Sequence, residues 1–109
     1  MTLADETIAI LGGTGDLGTG LAIRWSKAGY KIVIGSRTLA KAQAAVADLE
    51  KISPTTPASA MENADAASAG DIVVLTVPAE HQISTLESVK SGLSGKILID
   101  VTVPLVPPK

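Results

Sequence analysis

The apolar run Thr7-Ile8-Ala9-Ile10-Leu11 ends in Gly12-Gly13-Thr14-Gly15-Asp16-Leu17-Gly18, and helical periodicity follows at once. This junction of strand, glycine loop and helix constrains the fold more than any other feature. A run that is apolar at every position reads as a strand covered on both faces, as in a parallel sheet. Leu17, Leu21, Trp25 and Ala28 recur at helical spacing. A helix is therefore expected from about Asp16 to Ala28, with Gly29 as its stop and Trp25 in the core.

The rest of the chain repeats the alternation. Lys31–Ile34 reads as a second strand. Thr38 to about Lys51 reads as a second helix, with Thr38 as N-cap and Leu39, Ala42, Val46 and Leu49 inward. Pro54 and Pro57 interrupt the chain, and a weak strand is expected within Thr55–Ala60. A short helix Asn63–Ala69 leads to a strand Asp71–Val77, which Pro78 ends. A helix from about Glu80 to Lys90 places Ile83, Leu86 and Val89 inward, and Lys96–Val101 is a fifth strand. Such alternation implies an α/β fold: a Rossmann-type doubly wound parallel sheet of about five strands, order 3-2-1-4-5, with right-handed crossovers.

The chain of 109 residues fits one domain, 1–109, with a tail at 1–6 and an extended, proline-rich tail at 102–109. A hydrophobic content of 46% excludes disorder. No apolar run approaches the ~18 residues of a bilayer span, and no basic flank precedes an apolar segment at the N-terminus. A cytoplasmic protein with no membrane partner is expected. The absence of cysteine and the single histidine exclude disulfides, thiolate sites and a zinc cluster. Aromatic residues are 2% with no phenylalanine, which argues against base stacking and hence against a nucleic-acid partner. Net charge is −2, yet from Leu17 to Ala47 there is no acid, and five of the nine basic residues fall there. These are Arg24, Lys27, Lys31, Arg37 and Lys41. Either an anion site or a solvated basic helix face accounts for them.

The loop favours the first. Gly13, Gly15 and Gly18 make G-x-G-x-x-G directly after a buried strand and at a helix start, the context a dinucleotide site requires. Gly13 permits the turn, Gly15 lets a pyrophosphate approach the backbone, and Gly18 allows helix and strand to pack closely. Amides at the helix start hold the phosphates. Asp16 fits as an N-cap. The plain alternative is a tight turn without ligand. An NAD site needs an acid at the end of the second strand for the ribose diol. This chain has Gly35-Ser36-Arg37 instead, and its next acid in sequence is Asp48. Arg37 can bond a phosphate and stack on adenine, Ser36 can donate to the same phosphate, and Lys41 adds charge one turn on. NADP(H) is expected over NAD(H).

The segments 8–18, Gly20-Leu21-Ala22, Val33-Ile34-Gly35-Ser36-Arg37, Asn63-Ala64-Asp65-Ala66-Ala67, Val74 to His81 and Pro104-Leu105-Val106-Pro107 resemble the F420-dependent NADP reductases. The resemblance runs through nearly the whole chain in order. It implies hydride transfer between NADPH and coenzyme F420, a deazaflavin co-substrate. It also implies that Thr14, Gly15, Asp16 and Leu17 bind the pyrophosphate and that Ser36, Arg37 and Lys41 bind the 2′-phosphate. Val77, His81 and Val106 then lie toward the nicotinamide. Both cofactors carry the chemistry, so no side chain is assigned a catalytic role, and no metal is required. The family has roughly twice this length. The chain is thus expected to be its cofactor-binding half, with apolar surface exposed near the fifth strand and a homodimer as a candidate assembly. Two alternatives stand beside this: a short-chain-dehydrogenase-like NADP-binding protein and a non-enzymatic NADPH sensor. The first needs Tyr-x-x-x-Lys, whereas the only tyrosine, Tyr30, is followed four residues later by Ile34.

Overall fold

Five parallel strands form one sheet in the order β3-β2-β1-β4-β5, as expected. The computed structural model describes residues 6–12, 16–52, 58–76 and 79–101, without the side chains at 16, 17 and 79–81. The elements are β1 (Thr7–Leu11), α1 (Asp16–Lys27), β2 (Lys31–Ser36), α2 (Leu39–Ile52), β3 (Ala58–Glu62), α3 (Asn63–Ala69), β4 (Ile72–Leu75), α4 (Ala79–Val89) and β5 (Ile97–Asp100). A 3₁₀ turn, Lys90–Gly92, follows α4.

Strand periodicity divides the core. On one face Ile8, Ile10, Ile32, Ile34 and Val74 pack with Ala22 of α1 and Ala42, Val46 and Leu49 of α2. Trp25 and Tyr30 are half-buried against that cluster. On the other face Ala9, Leu11, Val33, Val73 and Leu75 pack with Ala66 and Ala67 of α3 and Val89. Successive residues of one strand thus serve opposite layers, which is why β1 and β2 are apolar at nearly every position. Gly29, at φ 100°, ends α1 in the left-handed region that glycine occupies without strain.

Two inward assignments and one helix end need correction. Leu39 is 42% exposed, because it opens α2 before the helix reaches the sheet. Ala28, the expected last residue of the first helix, lies in the turn after α1, which ends at Lys27. Ile83 is 71% exposed. Leu86 and Val89 do face inward as expected, and Gln82 and Thr85 complete that face in place of Ile83. The third strand, Ala58–Glu62, begins within the expected region and runs two residues past its end, and residues 55–57 lie outside the described residues.

Polar anchors fix the amino-terminal edge and the approach to β5. The Asp71 carboxylate accepts the Thr7 N–H at 2.9 Å, tying β4 to β1. Lys96 Nζ donates to the carbonyls of Ser68 and Gly70, each at 2.6 Å. A cation thereby meets the carbonyl end of α3, where the helix lacks intrahelical partners.

Candidate functional site

In a parallel sheet the connections that leave the carboxyl edge are free to surround a ligand, and the crevice opens where neighbouring connections depart to opposite faces. Here that switch lies between β1, which leads to α1, and β4, which leads to α4. Gly12 follows β1 with φ 75°, and its N–H donates to the Gly35 carbonyl at 2.9 Å. Gly12 thus takes a left-handed conformation as the chain leaves β1. On the other side of β1, Thr76 donates twice to the Leu11 carbonyl, from its amide at 3.0 Å and from its hydroxyl at 2.8 Å. Both neighbours of β1 are thus locked to its end.

Asp16 and Leu17 are the first two residues of α1, so their backbone stands at the helix start expected to receive phosphates. Gly18 is buried, consistent with close packing of that first turn. Gly13, Thr14, Gly15, Val77 and Val106 lie outside the described residues. His81 is the third residue of α4, which starts from the same edge.

The end of β2 forms the second part of the site. Ser36 is its last residue and is buried, and Arg37 follows, exposed. Thr38 begins α2 as expected: its carbonyl accepts the Ala42 N–H at 3.3 Å, and its Oγ1 accepts the Lys41 N–H at 3.4 Å. That cap places Lys41, also exposed, on the first turn beside the strand end. Lys41 borders a shallow groove between α1 and α2, together with Thr19, Ala44, Ala45 and Asp48. The fold separates the remaining basic residues of the acid-free stretch from this corner. Arg24 and Lys27 occupy the last turn of α1, and Lys31 starts β2, all at the opposite edge. Tyr30 also lies there, far from any dinucleotide crevice. Only Arg37 and Lys41 remain for an anion.

Two residues at this corner escaped the sequence reading. Glu62 ends β3 and pairs in register with Ser36, so an acid stands beside the strand end in space although none is near in sequence. Asn63 follows it at the start of α3, only 7% exposed. Its Oδ1 is buried and accepts no hydrogen bond. A Cβ on Gly35 would lie 2.9 Å from this oxygen, 2.9 Å from Ala66 Cβ and 3.1 Å from Leu11 Cδ2, so no larger residue fits between β2 and α3. The strand register could not be read from one sequence, which is why neither residue was signalled.

Among the described residues no group of acids and histidine could hold a metal, and no helix is long and apolar enough to cross a membrane. A lactate dehydrogenase from Cryptosporidium parvum, solved with lactic acid and its nicotinamide dinucleotide, superposes with a TM-score of 0.64 at 21% identity, covering 89% of this chain and 37% of that one. This likeness concerns the fold. Closer in sequence are F420-dependent NADP reductases of Methanothermobacter marburgensis and Methanocaldococcus jannaschii. They are 45% identical over 100 residues and 46% identical over 102 residues, each alignment covering 90% of this chain and 45% of the relative. The chain therefore spans about half the length of these relatives. The family described as "NADP oxidoreductase coenzyme F420-dependent" matches residues 7–104. On that match and these identities, the chain belongs to the coenzyme F420-dependent NADP oxidoreductases.

Proposed function

We propose that this chain binds NADP(H) along the carboxyl edge of its sheet and serves as the cofactor-holding part of an enzyme that moves hydride between NADPH and coenzyme F420. The observation that carries the reading is the corner at the end of β2: a buried Ser36, an exposed Arg37 and a capped Lys41, with no acid on that strand end. The donor set suits a dianionic 2′-phosphate. Two cations at the corner outweigh the single carboxylate of Glu62. Family membership supports the choice of cofactor and of deazaflavin as second reactant.

The residues proposed to hold the cofactor are Gly13, Thr14, Gly15, Asp16, Leu17 and Gly18 around the pyrophosphate, and Ser36, Arg37 and Lys41 around the 2′-phosphate. Val77, His81 and Val106 are proposed to lie toward the nicotinamide. When bound, the nicotinamide and deazaflavin rings supply the hydride chemistry themselves. The chain orients the donor and excludes water, and no general base is needed for the transfer. His81 is accordingly assigned contact, not proton transfer.

A homodimer belongs to the same proposal, supported by the exposed apolar side chains of Ile97, Leu98 and Ile99. Sedimentation velocity over a range of concentrations tests it, and a monomer at every concentration would count against it.

Fluorescence titration with NADPH and NADH tests the cofactor assignment. Arg37→Ala is expected to weaken NADPH by about 1.5–3 kcal/mol while barely changing NADH. Equal losses for both would remove the 2′-phosphate from this corner. Adding oxidised F420 to the NADPH-loaded chain and following nicotinamide absorbance then separates an enzyme from a sensor.

A further inference from the structure

We propose that Glu62 is a specificity-determining residue: its carboxylate accepts the 2′-hydroxyl of the adenosine ribose when the dinucleotide lacks a 2′-phosphate, so the chain holds NAD(H) as well as NADP(H) at one corner. The inference rests on the NADP(H) reading above and adds a second ligand to the same site.

Strand register places the group. Ser36 and Glu62 are the last residues of β2 and β3 and pair with each other. Neighbouring strands lie about 4.8 Å apart, and paired residues project to the same face. Ile32 and Ile34 of β2, with Ala58 and Ala60 of β3, all join the cluster beneath α1 and α2. By the two-residue alternation, Ser36 and Glu62 leave the sheet on that face too. The helix α2 crosses from the end of β2 back to the start of β3, so its first turn, with Lys41, stands at the same edge. Ser36 is buried and Glu62 is exposed, so a ligand bound at this corner meets the carboxylate directly.

No structural task accounts for that carboxylate. Glu62 is the N-cap of α3, with φ −70° and ψ 157°, yet its side chain makes no cap bond. Glutamate is outside the set of residues that N-caps prefer. Among the described residues no ion pair joins it to Arg37 or Lys41.

Chemistry selects the ligand group. A site for an unphosphorylated dinucleotide uses an acid at the end of the second strand to accept from the ribose. Here Ser36 occupies that end, and a carboxylate stands one strand over, a distance that a glutamate side chain spans. A carboxylate accepts hydrogen bonds and donates none. With a ribose hydroxyl it forms a charge-assisted bond. With a 2′-phosphate it meets like charge, and the exposed side chain turns aside while Arg37 and Lys41 bind the phosphate. One group thus acts with opposite sign on the two dinucleotides.

The test titrates the full chain and Glu62→Gln with NADH and NADPH by fluorescence, and with ADP-ribose and 2′-phospho-ADP-ribose by calorimetry. Wild-type chain is expected to bind both dinucleotides, NADPH the more tightly. Glu62→Gln keeps the length of the side chain and removes its charge. NADH and ADP-ribose are then expected to bind about fivefold more weakly. NADPH and 2′-phospho-ADP-ribose are expected to bind about threefold more tightly, a gain that shrinks at high salt. The unfolding midpoint without ligand is expected to hold, since the free chain loses no bond. No shift, shifts of the same sign, a change confined to one dinucleotide or a lowered midpoint would each overturn the proposal. Wild-type chain that binds NADPH and no NADH would overturn it too. Wild-type chain that binds neither, or an Arg37→Ala chain with unchanged NADPH affinity, would instead defeat the cofactor reading. The expected loss at Arg37→Ala beside an indifferent Glu62→Gln defeats the role of Glu62 alone.

Discussion

Ile32-Val33-Ile34 of β2 and Ile97-Leu98-Ile99 of β5 are nearly the same tripeptide, yet the first is buried throughout and the second lies open, Ile97 to 62%. Both strands have the composition of a doubly covered strand. Their difference is positional. β2 has a paired strand on each side and packs against α2 and α3 on its two faces. Among the described residues, β5 has only β4 beside it. No described strand pairs with its far edge, and all four of its residues are exposed. Strand composition therefore records the environment a segment is suited to, and the contrast at β5 marks apolar surface without a matching cover.

Truncating the two strands alike sharpens that contrast. Ile34→Ala should lower stability by about 3 kcal/mol, as expected for a fully buried branched side chain, and urea unfolding measures it. A cost below 1 kcal/mol would break the claim that β2 anchors the core. A smaller effect is expected at the polar tether of β5. Lys96→Met removes two bonds to the end of α3 and should cost about 1 kcal/mol. Hydrogen exchange should then quicken at residues 97–100 and stay slow at 32–34. Uniform quickening would mean that Lys96 supports the whole sheet. The smallest change belongs to Ile97→Ala, which should alter stability by less than about 0.5 kcal/mol. A loss equal to that of Ile34→Ala would show that β5 is covered in solution.

Much of this was readable beforehand. The order of elements, the parallel topology and the strand order followed from apolar runs punctuated by glycine and proline, because each element's period survives in one dimension. The end of β2 was legible for the same reason, since Ser36, Arg37 and Lys41 are close in sequence. What escaped depends on packing between distant segments. Helical spacing nominated Ile83 for the interior, but α4 turns Thr85 inward, and no pattern in one helix reveals where its neighbour stands. The acid-free stretch suggested one basic region, whereas a helix as long as α1 carries Arg24 and Lys27 to the far edge of the sheet. Glu62 and Asn63 reach the site only through the register of β3 on β2.

The strand order also has a consequence for synthesis. β1 emerges from the ribosome first, yet its second flank closes only when residues 72–75 arrive. A nascent chain of some sixty residues can pair β1 with β2 and β2 with β3 while the other side of β1 stays unmatched. The growing polypeptide therefore carries an open sheet margin for about one to three seconds at ordinary elongation rates, about 5–20 residues per second. During that interval the uncovered side of β1 is open to mispairing.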